Sequence, residues 1–322
     1  LFSDLARDVS VSVSAPYFDR ANGPILLGIV LMMGVGPLLP WRKSSARSLR
    51  RWFAWPLVIA VIVVVVLVAL GVKRPIAILS FGVVAFVAAS IMEEWWRGTV
   101  ARHRSGDNWA RAWWRLVNGN RPRHGGYIVH LSILMLGLGI IGTNFYQQRT
   151  DGALALGESL VIDNYRIEYV DSDSSSRPDR IAQWAEMSIY RIDPADYATE
   201  ISLARAQGSD GFRLKDSTRR PNDRLIDQIQ PWHGFYPDFN MASVRSGIRS
   251  TIVEDLYVIP RDFLSDGRIS IAVSINPLAW WLWASGPFFI LGTMVALWPQ
   301  PTVERRPVRT EKQIRALATG DL

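Results

Sequence analysis

The sequence predicts an α-helical integral membrane protein with five transmembrane helices and an extracytoplasmic β-rich domain. Three observations lead to this fold class. Five apolar segments are each long enough to cross about 30 Å of hydrocarbon. Basic residues are concentrated next to three of these segments. The long polar segment before the last apolar segment alternates in hydropathy with the period of β-strands.

The apolar segments are separated by polar sequence, so the overall composition hides them. The chain has 322 residues, of which 49% are hydrophobic and 20% charged. The predicted spans cover residues 24–41, 53–71, 75–92, 126–146 and 277–298.

There is no cysteine, which excludes disulfides and thiolate metal sites within the chain. The sequence begins at Leu1 without a signal-peptide pattern, so we expect it to be part of a longer membrane protein.

The charge distribution predicts the orientation. Residues 147–276 contain 15 basic and 20 acidic residues, whereas the remainder contains 21 basic and 9 acidic residues, a net charge of +12. The basic residues follow the first, third and fifth spans, and only Lys73 and Arg74 lie between the second and third. Positive residues stay on the cytoplasmic side, so residues 1–23 and 147–276 are predicted outside. Membrane topology thus explains the basic charge, and no nucleic-acid partner is expected.

The polar segment predicts a small domain of strands. Residues 160–170, 185–192, 251–259 and 268–275 alternate between apolar and polar side chains, with many β-branched and aromatic residues. Residues 171–180 are rich in Ser, Asp and Arg and predict a loop. Residues 221–239 are rich in Pro, Gly and aromatic residues and predict an irregular loop.

Tryptophans lie at the ends of the predicted spans, and they allow two interpretations. One is an aromatic belt at the membrane surface, and the other is a flat surface for a porphyrin. Residues 93–118 carry apolar and aromatic side chains at near-helical spacing, which predicts an amphipathic interfacial helix. The tryptophans at the span ends are Trp41, Trp52, Trp55, Trp95, Trp96, Trp280, Trp281 and Trp283.

The four histidines do not form a metal-binding pattern, but one of them lies in a span. His130 is within the fourth apolar segment, where an ionisable side chain is costly and marks a possible site. It could ligate haem iron, or it could be structural and bond to a neighbouring helix. His124 is predicted to be a solvated interfacial residue. His233 lies on the predicted outer side, where it could be a ligand or a substrate contact, but it is interpreted mainly as a surface residue; the fourth histidine is His103.

Several short segments, in this order, resemble the C-terminal portion of the CcmF-type cytochrome c haem lyase. They are VSVSAPYFD (11–19), GPLLPW (36–41), RHGGYIVHL (123–131), LGESL (156–160), FYP (235–237) and EDLYV (254–258). The resemblance covers nearly the whole chain. The sequence around His130 and 156–160 also resembles the ResB-type cytochrome c assembly subunit.

The resemblance implies a protein of the cytoplasmic membrane that attaches haem to apocytochrome c on the outer side. The implied partners are a haem-carrier protein, apocytochrome c, other cytochrome c maturation membrane subunits and the lipid bilayer. The implied cofactor is haem b, and His130 is carried over as a cofactor-binding residue, the axial ligand of the haem iron. That haem would be either the substrate or a redox group. The family's tryptophan-rich haem-handling segment is absent from these residues, so we expect only part of a site here.

The predicted organisation has three parts. Residues 1–146 form an outer N-terminal segment and a four-span membrane region, 147–276 form the extracytoplasmic β-rich domain, and 277–322 form the last span and a basic cytoplasmic tail. An alternative to the haem lyase is a non-catalytic membrane subunit that docks apocytochrome or a partner protein. A transporter is disfavoured because the spans show no inverted repeat.

Overall fold

The computed structural model describes residues 15–38, 46–215 and 220–299. Helices occupy the first part of this range and its end, and strands lie between them. The α-helices of the described residues are α1 (Ala15–Leu38), α2 (Ala46–Ala69), α3 (Pro75–His103), α4 (Trp109–Gly119), α5 (Arg121–Tyr146), α6 (Ala198–Ala206) and α7 (Ala279–Leu297).

Four of these helices are long and apolar enough to cross a membrane. They correspond to the second to fifth predicted spans and comprise Trp52–Ala69 of α2 and the whole of α3, α5 and α7. In α1, the apolar part within the described residues is Asn22–Gly36, which is shorter. The first predicted span, 24–41, extends beyond the described end of α1 at Leu38.

Local sequence signals explain where the helices around the candidate site begin. Pro75 occupies the first turn of α3, where its missing N–H costs no hydrogen bond. The side chains of Asn108 and Asn120 accept hydrogen bonds from the backbone N–H of Arg111 and Arg123, which caps α4 and α5. The interfacial helix predicted over 93–118 is corrected: residues 93–103 continue α3, and the amphipathic part is α4.

Close packing between α5 and α7 depends on glycines. A Cβ atom at Gly125 would lie 2.4 Å from the backbone nitrogen of Ala296, and one at Gly292 would lie 2.7 Å from that of Val129. A Cβ at Gly142 would lie 2.1 Å from the carbonyl oxygen of Pro277. Small residues allow membrane helices to approach this closely. The two helix backbones therefore approach closely at Gly125 and Gly292, and Gly142 lies against Pro277, just before α7 begins.

Eleven strands in the described residues form two antiparallel sheets between α5 and α7. The first sheet has the order β1-β11-β10-β9, and the second has the order β5-β2-β3-β4-β7-β8, with β6 also paired to β4. The strands are β1 (Gln148–Leu154), β2 (Ser159–Ile162), β3 (Tyr165–Ser176), β4 (Ile181–Arg191), β5 (Gly211–Leu214), β6 (Arg224–Ile229), β7 (Trp232–Tyr236), β8 (Met241–Arg245), β9 (Gly247–Ser250), β10 (Glu254–Phe263) and β11 (Ile269–Pro277).

The four predicted strand regions are found, but both predicted loops were largely wrong. Residues 171–176 belong to β3, which pairs with β4 up to Ser176. Residues 224–229 and 232–236 form β6 and β7, both paired with β4. The long partner strand β4 supplies hydrogen bonds to these segments, so they become strands despite their polar or irregular composition.

The β-rich region has an apolar core between the two sheets. Alternate residues of β3 and β11 contribute side chains to it, such as Ile167 and Ile271, which are fully buried. One buried ion pair lies outside this core. Arg166 donates from its terminal nitrogen to Asp223 at 2.9 Å and from Nε to the hydroxyl of Ser159. Tyr197 also donates to Asp223, so the carboxylate ties the segment after β5 to the sheet.

Candidate functional site

His130 lies within α5, about 14 Å along the helix axis from its first residue. Its ring is half-buried, and its Nδ1 atom is buried without a hydrogen-bond partner among the described residues. The closest aromatic neighbour in the structure is Tyr127, with ring centroids 6.5 Å apart. A structural histidine inside a membrane protein normally has hydrogen-bond partners, because no water is present to supply them. The hydrogen-bonding capacity of the His130 Nδ1 is therefore not used by any described residue.

The helix face that carries His130 has two glycines, with the larger Ile133 and Leu134 between His130 and the second of them. Gly126 precedes it by one turn and Gly137 follows it by two turns, so all three lie on one side of α5. A Cβ atom at Gly126 would meet nothing within 4 Å, and one at Gly137 would meet only Val84, at 3.9 Å. A macrocycle ligated at His130 needs this kind of space along the helix. The two glycines thus leave space on this helix face that a haem held by His130 would use.

His124 is not the solvated residue that the sequence predicted. It is only 3% exposed, because α5 turns it towards α3. The indole Nε1 of Trp95 donates to its Nδ1 at 3.1 Å, and the ring of Tyr127 lies edge-on to it. Beside this contact, Arg123 bonds both the hydroxyl of Tyr127 and the carboxylate of Glu94. His124 is therefore part of the packing between α3 and α5.

The structure brings many of the tryptophans together in one groove. Its volume is about 1310 Å³, and it lies between α2, α3 and α4. Trp96 stacks on Trp109, and Arg97 lies 5.4 Å from the ring centre of Trp52. One carboxylate oxygen of Glu93 is buried here without a hydrogen-bond partner in the described part of the chain. The groove accommodates either lipid or a flat ligand, so both interpretations of the tryptophans stay open. The tryptophans that line it are Trp52, Trp55, Trp95, Trp96, Trp109 and Trp113.

The remaining histidines, His103 and His233, lie on other elements than His130. His103 is at the end of α3, where it stacks on Trp109 and its Nδ1 lies 2.7 Å from the carbonyl oxygen of Asp107. His233 is in β7, half-buried and paired in register with Gln183. Within the described residues, no three His, Cys, Asp or Glu side chains are grouped so that they could hold a metal ion. An iron site would therefore need the porphyrin to supply most of the ligands.

Sequence reasoning missed two features that need tertiary structure. One is the hydrogen bond between Trp95 and His124, which are 29 positions apart. The other is a pocket in the β-rich region, where Trp184, Trp232 and Arg245 come together from three strands. The residues of this pocket are distant in sequence, and no motif links them. The only available signal was an unusual pair of tryptophans in a polar domain.

The fold and the site define a multi-pass membrane protein with a β-rich region between its last two apolar helices. One of these helices carries a histidine, His130, whose Nδ1 is buried without a hydrogen-bond partner among the described residues.

No protein-family model matches the chain. The chain is 23% identical over 291 residues to cytochrome c-type biogenesis protein ccl1 of Rhodobacter capsulatus, which covers 88% of this chain and 38% of that protein. It is also 23% identical to cytochrome c-type biogenesis protein CcmF of Haemophilus influenzae, over 89% of this chain and 39% of that protein. The chain thus spans about two fifths of the length of these relatives.

A solved structure has the same fold. The structure named "Cytochrome c Heme Lyase CcmF" matches with a TM-score of 0.65 at 23% identity, covering 89% of this chain and 41% of that one. The resemblance to CcmF-type proteins that the sequence suggested is therefore confirmed over most of the chain.

Proposed function

We propose that this chain is part of a membrane haem lyase that attaches haem to apocytochrome c on the outer side of the cytoplasmic membrane. The relatives are named as cytochrome c biogenesis proteins, and the matched structure as a haem lyase. Because the chain spans only part of them, it supplies part of the activity. The partners in this proposal are a haem carrier, apocytochrome c and further maturation subunits.

The observation that carries the proposal is the unpaired imidazole of His130. Its Nδ1 is buried without a partner, and the glycines on the same helix face leave room beside it. In this proposal His130 would ligate the iron of a haem b. The haem supplies redox chemistry, whose potential depends on its axial ligands. His130 holds the iron, and α5 fixes the position of His130 by packing on α7.

The proposal includes five spans, with the β-rich domain (147–276) on the periplasmic or outer side. Residues 277–322 form the last span and a basic tail in the cytoplasm. The arginines and lysines after the first, third and fifth spans support this orientation. His130 then lies nearer the cytoplasmic face than the attachment site. That depth favours a redox role for its haem, whereas a substrate haem would need to be bound closer to the outer face.

Orientation can be tested by labelling, because the chain has no cysteine. Single cysteines at Ser174 and Ser105 are matched probes, since both residues are exposed and lie in the β-rich region and between α3 and α4, respectively. A membrane-impermeant maleimide should label Ser174→Cys in intact cells, and Ser105→Cys only after permeabilisation. The reverse pattern would contradict the outer placement of the domain.

The function itself is tested by the yield of holocytochrome c in cells that carry variants of this protein. His130→Ala should abolish covalent haem attachment, whereas His233→Ala, in β7 of the β-rich region, should leave it intact. An undiminished yield with His130→Ala would favour the alternative, in which the chain is a non-catalytic subunit that docks apocytochrome or a partner protein.

A further inference from the structure

The β-rich region contains a pocket of about 540 Å³ at the corner where its two sheets meet. Three residues form a row across neighbouring strands on one side of the pocket. Trp184 in β4 is paired in register with Trp232 in β7, and Trp232 is paired with Arg245 in β8. The indole of Trp232 lies over Gly234, where a Cβ atom would be only 2.3 Å from the ring. A glycine at 234 thus lets the ring lie flat along the sheet.

The charged residues that line this pocket are all basic among the described residues. Arg180 and Arg245 line it, and no carboxylate does. Neither guanidinium forms a side-chain hydrogen bond or an ion pair with any residue that the structure describes. By contrast, neighbouring Arg249 is paired with Asp227 at 3.6 Å. Two unpaired arginines around aromatic rings favour a ligand that carries carboxylates and apolar groups.

Open sheet edges adjoin the pocket. β8 is the last strand of one sheet, and β9 is the last strand of the other. The chain crosses between them at Ser246, which also lines the pocket. Neither strand has a further paired strand on its outer edge among the described residues, and an extended chain can pair with such an edge. Apolar side chains next to this edge are exposed too, among them Met241 (52%) and Ile248 (49%).

We propose that this pocket binds an extended, carboxylate-bearing segment of the apocytochrome polypeptide. The inference rests on the proposed function, in which the substrate is an unfolded chain whose backbone can add to a sheet edge. Arg180 and Arg245 bind its carboxylates, and Trp184 and Trp232 contact the apolar side chains between them. The site holds the polypeptide during the reaction and takes no part in the chemistry.

The test is a binding measurement on the purified full chain without haem. The probe is a short fluorescein-labelled peptide in which glutamate alternates with valine, and a peptide with lysine instead of glutamate is the control. Arg180→Glu and Arg245→Glu should each weaken binding of the glutamate peptide by about tenfold, and added salt should weaken binding to the unaltered chain. Arg205→Glu is the matched control, because Arg205 is an exposed arginine on α6, which adjoins the opposite edge strand β5.

Two results would overturn the proposal. One is equal affinity of the arginine variants and the Arg205→Glu control for the glutamate peptide. The other is failure of unlabelled apocytochrome to displace the bound peptide, which would mean that another acidic chain is the ligand. Displacement by apocytochrome, but not by the folded holocytochrome, is the expected result. This measurement does not depend on His130, so a failed haem-ligand test leaves it interpretable.

Discussion

Trp95 and His124 join α3 to α5 through a hydrogen bond of 3.1 Å, in which the indole N–H donates to Nδ1 of the imidazole. This bond requires Nδ1 to be unprotonated and occupied by a protein donor. The ring of His124 is also packed against Tyr127 and is almost fully buried. His130, six residues further along the same helix, has no such partner among the described residues. The two histidines therefore differ in what remains available to a ligand.

Removal of the Trp95 donor should destabilise the protein without affecting haem. Trp95→Phe leaves the buried Nδ1 of His124 unpaired, and we expect a loss of about 1–3 kcal/mol in the free energy of unfolding. Trp96→Phe is the control, because Trp96 is 61% exposed and its indole makes no hydrogen bond within the described range. Thermal unfolding in detergent measures both. Equal stability of the two variants would show that the hydrogen bond contributes nothing.

The contact between α5 and α7 predicts strong sensitivity at particular glycines. Gly125→Ala would place a methyl group 2.4 Å from the backbone of Ala296, so the helices must move apart. The expected loss is about 1–3 kcal/mol, the usual cost of overpacking. Gly286→Ala in α7 is the matched control, since a Cβ there meets nothing within 4 Å. If the two variants have the same melting temperature, the inferred close contact between α5 and α7 is wrong.

The buried ion pair in the β-rich region should be essential for its stability. The side chains of Arg166 and Asp223 are both fully buried and lie 2.9 Å apart. Asp223→Ala removes the carboxylate that lies 2.9 Å from the buried guanidinium, which should cost about 3–5 kcal/mol. The exposed pair of Asp266 and Arg268 offers a comparison, and Asp266→Ala should hardly change the melting temperature. A small effect of Asp223→Ala would indicate that water reaches Arg166.

Tyr165 should make the stability depend on alkaline pH. Burial, together with the hydrogen bond from its hydroxyl to the carboxylate of Glu254, raises the pKa of Tyr165 to about 12. The unfolded chain loses this proton around pH 10. The stabilisation is thus complete below about pH 10 and is lost as the pH rises to about 12.

Tyr165→Phe removes this contribution, so its unfolding free energy should decline less between about pH 10 and 12 than that of the unaltered protein. Denaturant unfolding at several pH values measures the two slopes. Parallel curves would mean that Tyr165 ionises normally in the folded state.

Four of the five predicted spans are found as helices long and apolar enough to cross a membrane, because long hydrophobic runs have few alternatives to a membrane helix. The sequence also predicted the four strand regions in which buried and exposed side chains alternate. It failed at residues 171–176, whose side chains lie beyond the core and are mostly exposed, although their backbone still pairs with β4. These residues form a strand because they pair with β4, and the local composition does not reveal that pairing.

At the candidate site, the sequence singled out His130 because a histidine in a span is costly. The different environment of His124 was not predictable, because Arg121 and Arg123 beside it suggested a solvated boundary. Its burial depends on Trp95, which a different helix brings into contact. Likewise, Trp184 and Trp232 meet only through the register between β4 and β7. Such pairings are determined by tertiary structure.

The most direct test of the account is the haem absorption spectrum of the complete protein, purified from membranes with either His130→Gln or His124→Gln. Glutamine can hydrogen-bond but is a poor haem ligand, so His130→Gln should lose the haem signal. His124→Gln should retain that signal, because His124 is held by Trp95. His130→Met should keep part of it, with a shifted redox potential. Full haem content in His130→Gln, together with a normal yield of cytochrome c, would contradict the central claim that His130 ligates the iron.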